Sequence, residues 1–315
     1  MMCVFQVNCS NNATNIQQVA YKCVYLTKKI KHGMDLNSVK GIDMPNSLYH
    51  SDTARVSKSG LDMINEAPAF YKLWMDLVLE GKHEDKQTPA QKLGSVYHCL
   101  ILEPYKFDEL YFVASTDDGR SADYRKDSQF AAEQGLTLVK PSDYQTALEM
   151  ANATKGNPGV YKLMEMGLAE QVYYWTDPLT GIECRMKADW VSMLGEKVYL
   201  LDFKSAMNAS PKEFGKAAYN QRYHVQAAFY LDGFELATGI KPSGFVNVVV
   251  EKDAPYLTEL YTVDDMELAL GREAYRGDLN TLLECRKRNH YWGYSHPDSP
   301  MFKALKLPSW AYPRY

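Results

Sequence analysis

Hydrophobic positions change their period near residue 170, and that change divides the chain into a mainly helical first part and a part where strands dominate the middle. Before it, Ser57-Lys58-Ser59-Gly60-Leu61-Asp62-Met63-Ile64 predicts a short capped helix, interrupted near Pro68 and followed by the apolar run Phe70-Tyr71-Lys72-Leu73-Trp74. A charged link over 81–86 leads to a helix over 88–102, with Thr88 as N-cap and Pro89 at its first position. Leu93, Val96, Leu100 and Ile101 form its apolar side, and His98 falls inside it. Residues 116–127 are charged and carry Gly and Ser, which predicts a surface loop; 142–153 and 158–166 predict helices.

From Glu170 onward the signals are those of strands. Gln171-Val172-Tyr173-Tyr174-Trp175 alternates and is rich in β-formers, Asp177-Pro178-Leu179-Thr180-Gly181 is turn chemistry, and two further strands reach Lys204. That is an antiparallel meander. A long helix is predicted over 211–238, strands over 245–250 and 256–263, and a final helix over 264–288 capped by Asp264 or Asp265. The aromatic, proline-rich tail, 291–315, is expected to pack as irregular chain. Residues 1–46, polar and then basic without a strong period, read as an N-terminal extension, leaving 47–315 as one domain.

A hydrophobic content of 46% across 315 residues places the chain among globular proteins with length for a real core. The charge balance, 35 Lys+Arg against 39 Asp+Glu, gives −4 and no global attraction to nucleic acid, so any such contact must rest on a local patch. Two candidates are Lys204, Lys212, Lys216 and Arg222, which outnumber Glu213, and Lys28-Lys29-Ile30-Lys31-His32. The six cysteines show no paired zinc spacing, and no stretch approaches the roughly 20 apolar residues that span a bilayer. No membrane partner is expected, and the location expected is cytoplasmic.

The candidate chemistry lies between Asp189 and Lys204. Val198 to Phe203 reads as a buried strand, on which residues two apart share a face, so Asp202 and Lys204 project together. If the run from Gly181 to Ser192 is its antiparallel neighbour, turning through Met193-Leu194-Gly195-Glu196, Asp189 comes near Asp202. Two carboxylates suit a hard divalent cation, with a lysine beside them to orient water or offset phosphate charge. An Asp-x-Lys alone is also what a surface ion pair looks like. The following helix adds a polar-aromatic stripe of Tyr219, Arg222/Tyr223, Gln226 and Tyr230, a pattern that amphipathic packing produces as well.

Taken in order, these segments resemble the PD-(D/E)XK nucleases, and within them the RecE-like phage and prophage exonucleases. The resemblance is carried by Ser57-Lys58-Ser59-Gly60-Leu61, Gly94-Ser95-Val96-Tyr97-His98, Glu103-Pro104, Thr180-Gly181-Ile182-Glu183-Cys184-Arg185, Asp189, Leu201-Asp202-Phe203-Lys204 and Tyr223-His224-Val225-Gln226-Ala227-Ala228-Phe229-Tyr230. Where many RecE-like sequences read Arg-Pro-Asp, this chain has Lys187-Ala188-Asp189. The resemblance implies an α/β (α+β) restriction-endonuclease-like core, a central mixed sheet with an antiparallel meander flanked by helices.

It also implies roles. His98, Asp189 and Asp202 would hold Mg²⁺, for which Mn²⁺ is a possible substitute, with the Phe203 carbonyl as an extra ligand. Lys204 would be the catalytic lysine, Gln226 and Tyr230 the catalytic helix pair that shapes the site and contacts DNA, and Glu170 a possible additional acid. Arg185, Lys212, Lys216, Tyr219, Arg222 and Tyr223 are the candidates for DNA contact. The implied activity is 5′ to 3′ exonucleolytic digestion of one strand of linear duplex DNA, leaving 3′ single strands. The implied partners are duplex DNA ends, further copies of the chain in a ring-shaped tetramer, and a RecT-like single-strand annealing protein. A structure-specific endonuclease, a single-strand exonuclease and a catalytically dead DNA-binding protein are the alternatives.

Overall fold

A computed structural model describes residues 35–84, 87–308 and 311, so the basic run at 28–32 and the extension up to residue 34 lie outside the described residues. From Asp35 onward the expected extension belongs to the fold: Val39 is buried, and Ile42 and Asp43 pair with Val172 and Gln171. The side-chain amide of Gln171 ties this segment down, its oxygen accepting from the Gly41 N–H at 3.0 Å and its nitrogen donating to Asp43 at 2.8 Å.

In chain order the first elements are β1 (Ile42–Asp43), α1 (Asn46–Ser51), α2 (Lys58–Glu66), α3 (Pro68–Leu79) and α4 (Pro89–Leu102). Next come α5 (Phe107–Leu110), β2 (Tyr111–Val113), α6 (Ala122–Glu133), β3 (Thr137–Val139), α7 (Pro141–Gly156) and α8 (Pro158–Met164). The remainder is β4 (Gly167–Thr176), β5 (Glu183–Leu194), β6 (Lys197–Ala206), α9 (Pro211–Asn220), α10 (Tyr223–Thr238), β7 (Gly244–Glu251), β8 (Thr258–Thr262) and α11 (Asp265–Arg288). Local chemistry sets several boundaries. Thr88 and Gln91 form a reciprocal capping box at α4, Ser57 caps α2, and acidic residues open α11 while Arg286, Lys287 and Arg288 close it.

The main sheet runs β1-β4-β5-β6-β7-β8. β4, β5 and β6 form the expected antiparallel meander, β6 and β7 are parallel, and β8 returns antiparallel to β7. A parallel pair needs a long crossover, and α9 with α10 supplies it. Each face of the sheet has its own core. On one, Leu61, Phe229, Phe234, Tyr275 and Leu282 from α2, α10 and α11 meet Tyr173, Met186 and Leu200. On the other, Val96, Leu100, Ala147 and Met150 from α4 and α7 meet Leu201, Phe203 and Val248. Each of the larger aliphatic and phenyl side chains contributes about 1.5–3 kcal/mol on burial. Adjacent positions on β6 therefore serve opposite layers, which fixes the directions of Asp202 and Lys204 in between.

The structure departs from the expected elements in four places. The loop expected over 116–127 ends at Ser121, which caps α6, and a parallel β2/β3 pair flanks that helix. The hairpin turns over Gly195 and Glu196 alone, because Gly195 takes a positive φ of 65° and lets pairing continue to Leu194 and Lys197. The helix expected over 211–238 is broken, with Arg222 in the left-handed region at φ 55°. No Gly or Pro marks that break; it is held by tertiary ion pairs described below. In the tail, Trp292 is buried, but Tyr294, Met301, Phe302 and Leu305 are exposed instead of packed.

α10 and α11 approach closely at Gly271, where a Cβ would overlap the His224 carbonyl oxygen of α10. Because that neighbour is backbone, it cannot swing away. Gly271→Ala should lower stability by about 1–3 kcal/mol in chemical denaturation, a loss that unchanged unfolding midpoints would contradict.

Candidate active site

Side chains on a strand alternate between faces, yet Leu168 and Tyr173 on β4 pack against the same core although they are an odd number apart. The same slip occurs on β5, where Ala188 and Val191 share that core. The pairs Ala169↔Trp190 and Gln171↔Ala188 bracket both slips, so the two residues between them, Glu170 and Asp189, lie opposite each other at the interruption. Glu170 is left-handed at φ 53°, a conformation that costs a non-glycine residue roughly 1–2 kcal/mol. Such outliers persist only where the surroundings over-determine them, and they concentrate at functional sites.

The interruption faces α4. His98, Glu170 and Asp189 each present a ligand atom there, all within 4.8 Å of one another. Asp189 is fixed by accepting the Phe203 N–H at 2.8 Å, just beyond Trp190↔Leu201, where the β5–β6 ladder ends. His98 Nε2 lies 2.6 Å from the Phe203 carbonyl oxygen. A carbonyl only accepts, so Nε2 carries a proton, and Nδ1 faces Asp189 Oδ2 at 3.7 Å. Glu170 is also ion-paired with Lys187.

Asp202 stands on the other side of β6, as strand alternation demands. Its Oδ1 accepts from Gln226 Nε2 at 2.6 Å and its Oδ2 lies 2.7 Å from Lys204 Nζ. That oxygen is buried and lacks an aligned hydrogen bond within the described residues. Of the expected ligands, His98 and Asp189 thus come together with Glu170, the possible additional acid, and Asp202 lies on the neighbouring strand. The expected extra ligand, the Phe203 carbonyl, is taken up by His98.

Electrostatics follow from burial. Burial raises the Asp189 carboxyl to about 6, against the lowering effect of His98 and with further upward pushes from Asp202 and Glu170. Burial works against the Lys204 ammonium too, but Asp202, Asp189 and Tyr223 together hold its pKa above the ordinary lysine value. One imidazole nitrogen and two carboxylates that repel one another suit a hard divalent cation, which would supply the positive charge Asp189 lacks. The residues present therefore fit such an ion.

Gln226 and Tyr230 are both buried on α10, where expected, and the Tyr230 ring packs edge-on against Phe245. The candidates for DNA contact divide. Lys212, Lys216 and Tyr219 are exposed on α9, with Tyr219 stacked on His224. Arg185, in contrast, is buried to 2% exposure with its guanidinium over the Tyr49 ring at 4.4 Å, so it serves the interior. Arg222 is likewise committed, to Asp62 at 2.9 Å and to Asp278 at 2.5 Å. Tyr223 is half-buried, its ring 4.7 Å from Lys204 Nζ. Glu170, expected only as a possible additional acid, is the group member whose meeting with Asp189 was not legible in the sequence. The available signal was two consecutive polar residues, Glu170-Gln171, inside a strand that otherwise alternates.

Comparison with known proteins gives three findings. The profile of a family described as "PDDEXK-like domain of unknown function (DUF3799)" matches residues 73–296. No curated protein matches the sequence significantly. Among solved structures, a candidate exonuclease from Eubacterium rectale is similar at a TM-score of 0.54 and 16% identity, covering 85% of this chain and 96% of its own. An alkaline exonuclease from Laribacter hongkongensis shares 13% identity over 78% of this chain and 97% of its own, at a TM-score of 0.32 too low to argue from.

The raised pKa of Asp189 has a measurable consequence. Between about pH 4, where an unfolded aspartate titrates, and about 6 the folded state holds this proton more tightly, so its contribution to stability falls as pH rises through that window. Asp278, also raised to about 6 by burial, has the same sign, so only a difference between variants isolates Asp189. Asp189→Asn should stabilise the metal-free protein by roughly 1–2 kcal/mol at pH 8 and by almost nothing at pH 4. Equal unfolding free energies for both proteins at pH 8 would contradict this.

Proposed function

Because this chain belongs to the family of PDDEXK-like domains, whose fold is that of the PD-(D/E)XK nucleases, we propose that it is a divalent-metal-dependent exodeoxyribonuclease. The observation that carries the reading is the convergence of His98, Glu170 and Asp189 at a strained interruption of the sheet, one strand from the Asp202–Lys204 pair. Holding two partly buried carboxylates this close together is unfavourable even with Lys187 paired to Glu170, and the fold keeps them there nonetheless.

Mg²⁺, or Mn²⁺ in its place, would be held by His98, Glu170 and Asp189 with Asp202 alongside; when bound it supplies a Lewis acid that lowers the pKa of a water and polarises a phosphoryl oxygen. Lys204, kept protonated by its carboxylate neighbours, orients the attacking water or offsets charge that develops on the phosphate. Asp202 fixes the lysine, and Gln226 fixes Asp202 from α10. Tyr230 fills the space behind them. On α9, Lys216 and Lys212 offer phosphate contacts and the exposed face of Tyr219, backed by His224, offers a surface on which a base can stack.

The substrate proposed is a linear duplex end, digested 5′ to 3′ to leave 3′ single strands for recombination by annealing. The motif resemblance to RecE-like exonucleases supports this polarity, and with it a ring-shaped tetramer, a RecT-like annealing partner and a cytoplasmic place of action. A ring also accommodates a net charge of −4, since only its channel has to be basic. Among the described residues no helix is long and apolar enough to cross a membrane.

Linear duplex labelled at the 5′ or the 3′ end tests this. With Mg²⁺, mononucleotides should leave the 5′ label first, chelator should abolish release, and Lys204→Ala should reduce it about a hundred- to a thousandfold while DNA binding persists. Earlier release from the 3′ label would overturn the polarity, cleavage of a closed circular plasmid would favour an endonuclease, and full activity in Lys204→Ala would remove Lys204 from the site.

A further inference from the structure

α10 meets β6 at two points. Gln226 donates to Asp202 at 2.6 Å, and three residues earlier the Tyr223 ring centroid lies 4.7 Å from the Lys204 ammonium. Three residues along a helix advance about 4.5 Å and two along a strand about 6.6 Å, a difference of about 2 Å that the long lysine and tyrosine side chains span. The face of the helix that holds one member of the Asp-x-Lys thereby also reaches the other.

The contact depends on the break between α9 and α10. Arg222, held left-handed between Asp62 and Asp278, makes Tyr223 the first residue of α10. The buried Phe214 packs against the Tyr223 ring at 5.9 Å between centroids and stacks on Tyr261 at 4.9 Å, which fixes the plane. Lys204 thus has a carboxylate on one side and an aromatic face on the other. A lysine stem is flexible and its ammonium has three donors. A second carboxylate would occupy those donors and cancel the charge, whereas a ring face attracts the cation and leaves N–H groups free for water or a phosphate oxygen.

We propose that Tyr223 is a positioning residue for Lys204, acting through its ring face and not as a hydroxyl that contacts DNA. The role rests on the reading of Lys204 as part of the reaction site. In the full-length chain, Tyr223→Phe should keep kcat within twofold of wild type, while Tyr223→Leu should lower kcat about tenfold with KM for DNA changed less than twofold. In a Lys204→Met background Tyr223→Leu should add no further loss.

A second readout needs no catalysis. In protein carrying ¹³C-labelled lysine, the Lys204 ε-methylene resonance, identified by its loss in Lys204→Met, should be shifted upfield by the ring in wild type and Tyr223→Phe but not in Tyr223→Leu. Unchanged kcat in Tyr223→Leu beside an inactive Lys204→Met, an equal loss in Tyr223→Phe, a rise in KM alone, or an unshifted Lys204 in wild type would each overturn the proposal. If Tyr223→Leu fails to fold, wild type and Tyr223→Phe still decide through the shift. Full activity in Lys204→Met would sink the reading of the site instead, leaving the shift to report whether the ring holds the lysine.

Discussion

Two partly buried carboxylates set the constraint on which the sheet depends. Glu170 and Asp189 oppose each other where both strands slip out of alternation, with His98 above them and Asp202 one strand away. Nothing in a sheet rewards that arrangement: it gives up regular pleating, places Glu170 in a strained conformation, and holds the Asp189 carboxyl well above its ordinary range. The rest of the fold supplies what keeps it in place. Two separate cores grip the meander from both faces, and α4 is registered so that His98 reaches the Phe203 carbonyl.

The second constraint is the anchoring of Arg222. A left-handed residue without glycine ends one helix and begins another, and it holds because two acids on α2 and α11 bind its guanidinium. From that point α10 departs in the direction that brings Tyr223 to Lys204 and Gln226 to Asp202. The Arg222 ion pairs and the Asp202–Lys204 pair are thereby linked through α10. An arginine that composition would assign to a nucleic-acid patch works as a structural bolt, while Lys212 and Lys216 of α9 stay exposed.

Much was legible in the chain. Capping residues marked α2 and α4, alternation marked the meander, and the two-residue spacing of Asp202 and Lys204 put them on one face because that spacing is a local property of a strand. The pairing of β5 with β6 followed from the short turn between them. The meeting of Glu170 with Asp189 was not legible because a slip in alternation on one strand is stable only against a matching slip on its neighbour, and no single stretch of sequence shows both. The helix break at Arg222 and the burial of Arg185 escaped for a similar reason: their partners, Asp62, Asp278 and Tyr49, are distant in sequence.

Sequence by itself therefore determined the meander, most of the flanking helices and the inventory of acids, imidazole and lysine, since propensity, capping and alternation act over a few residues. Tertiary structure alone decided which of those groups meet. Which carboxylate joins His98, which basic residues turn inward, and which ring covers Lys204 depend on contacts between elements far apart in the chain, where the desolvation of one charge is offset only by another brought to it by the fold.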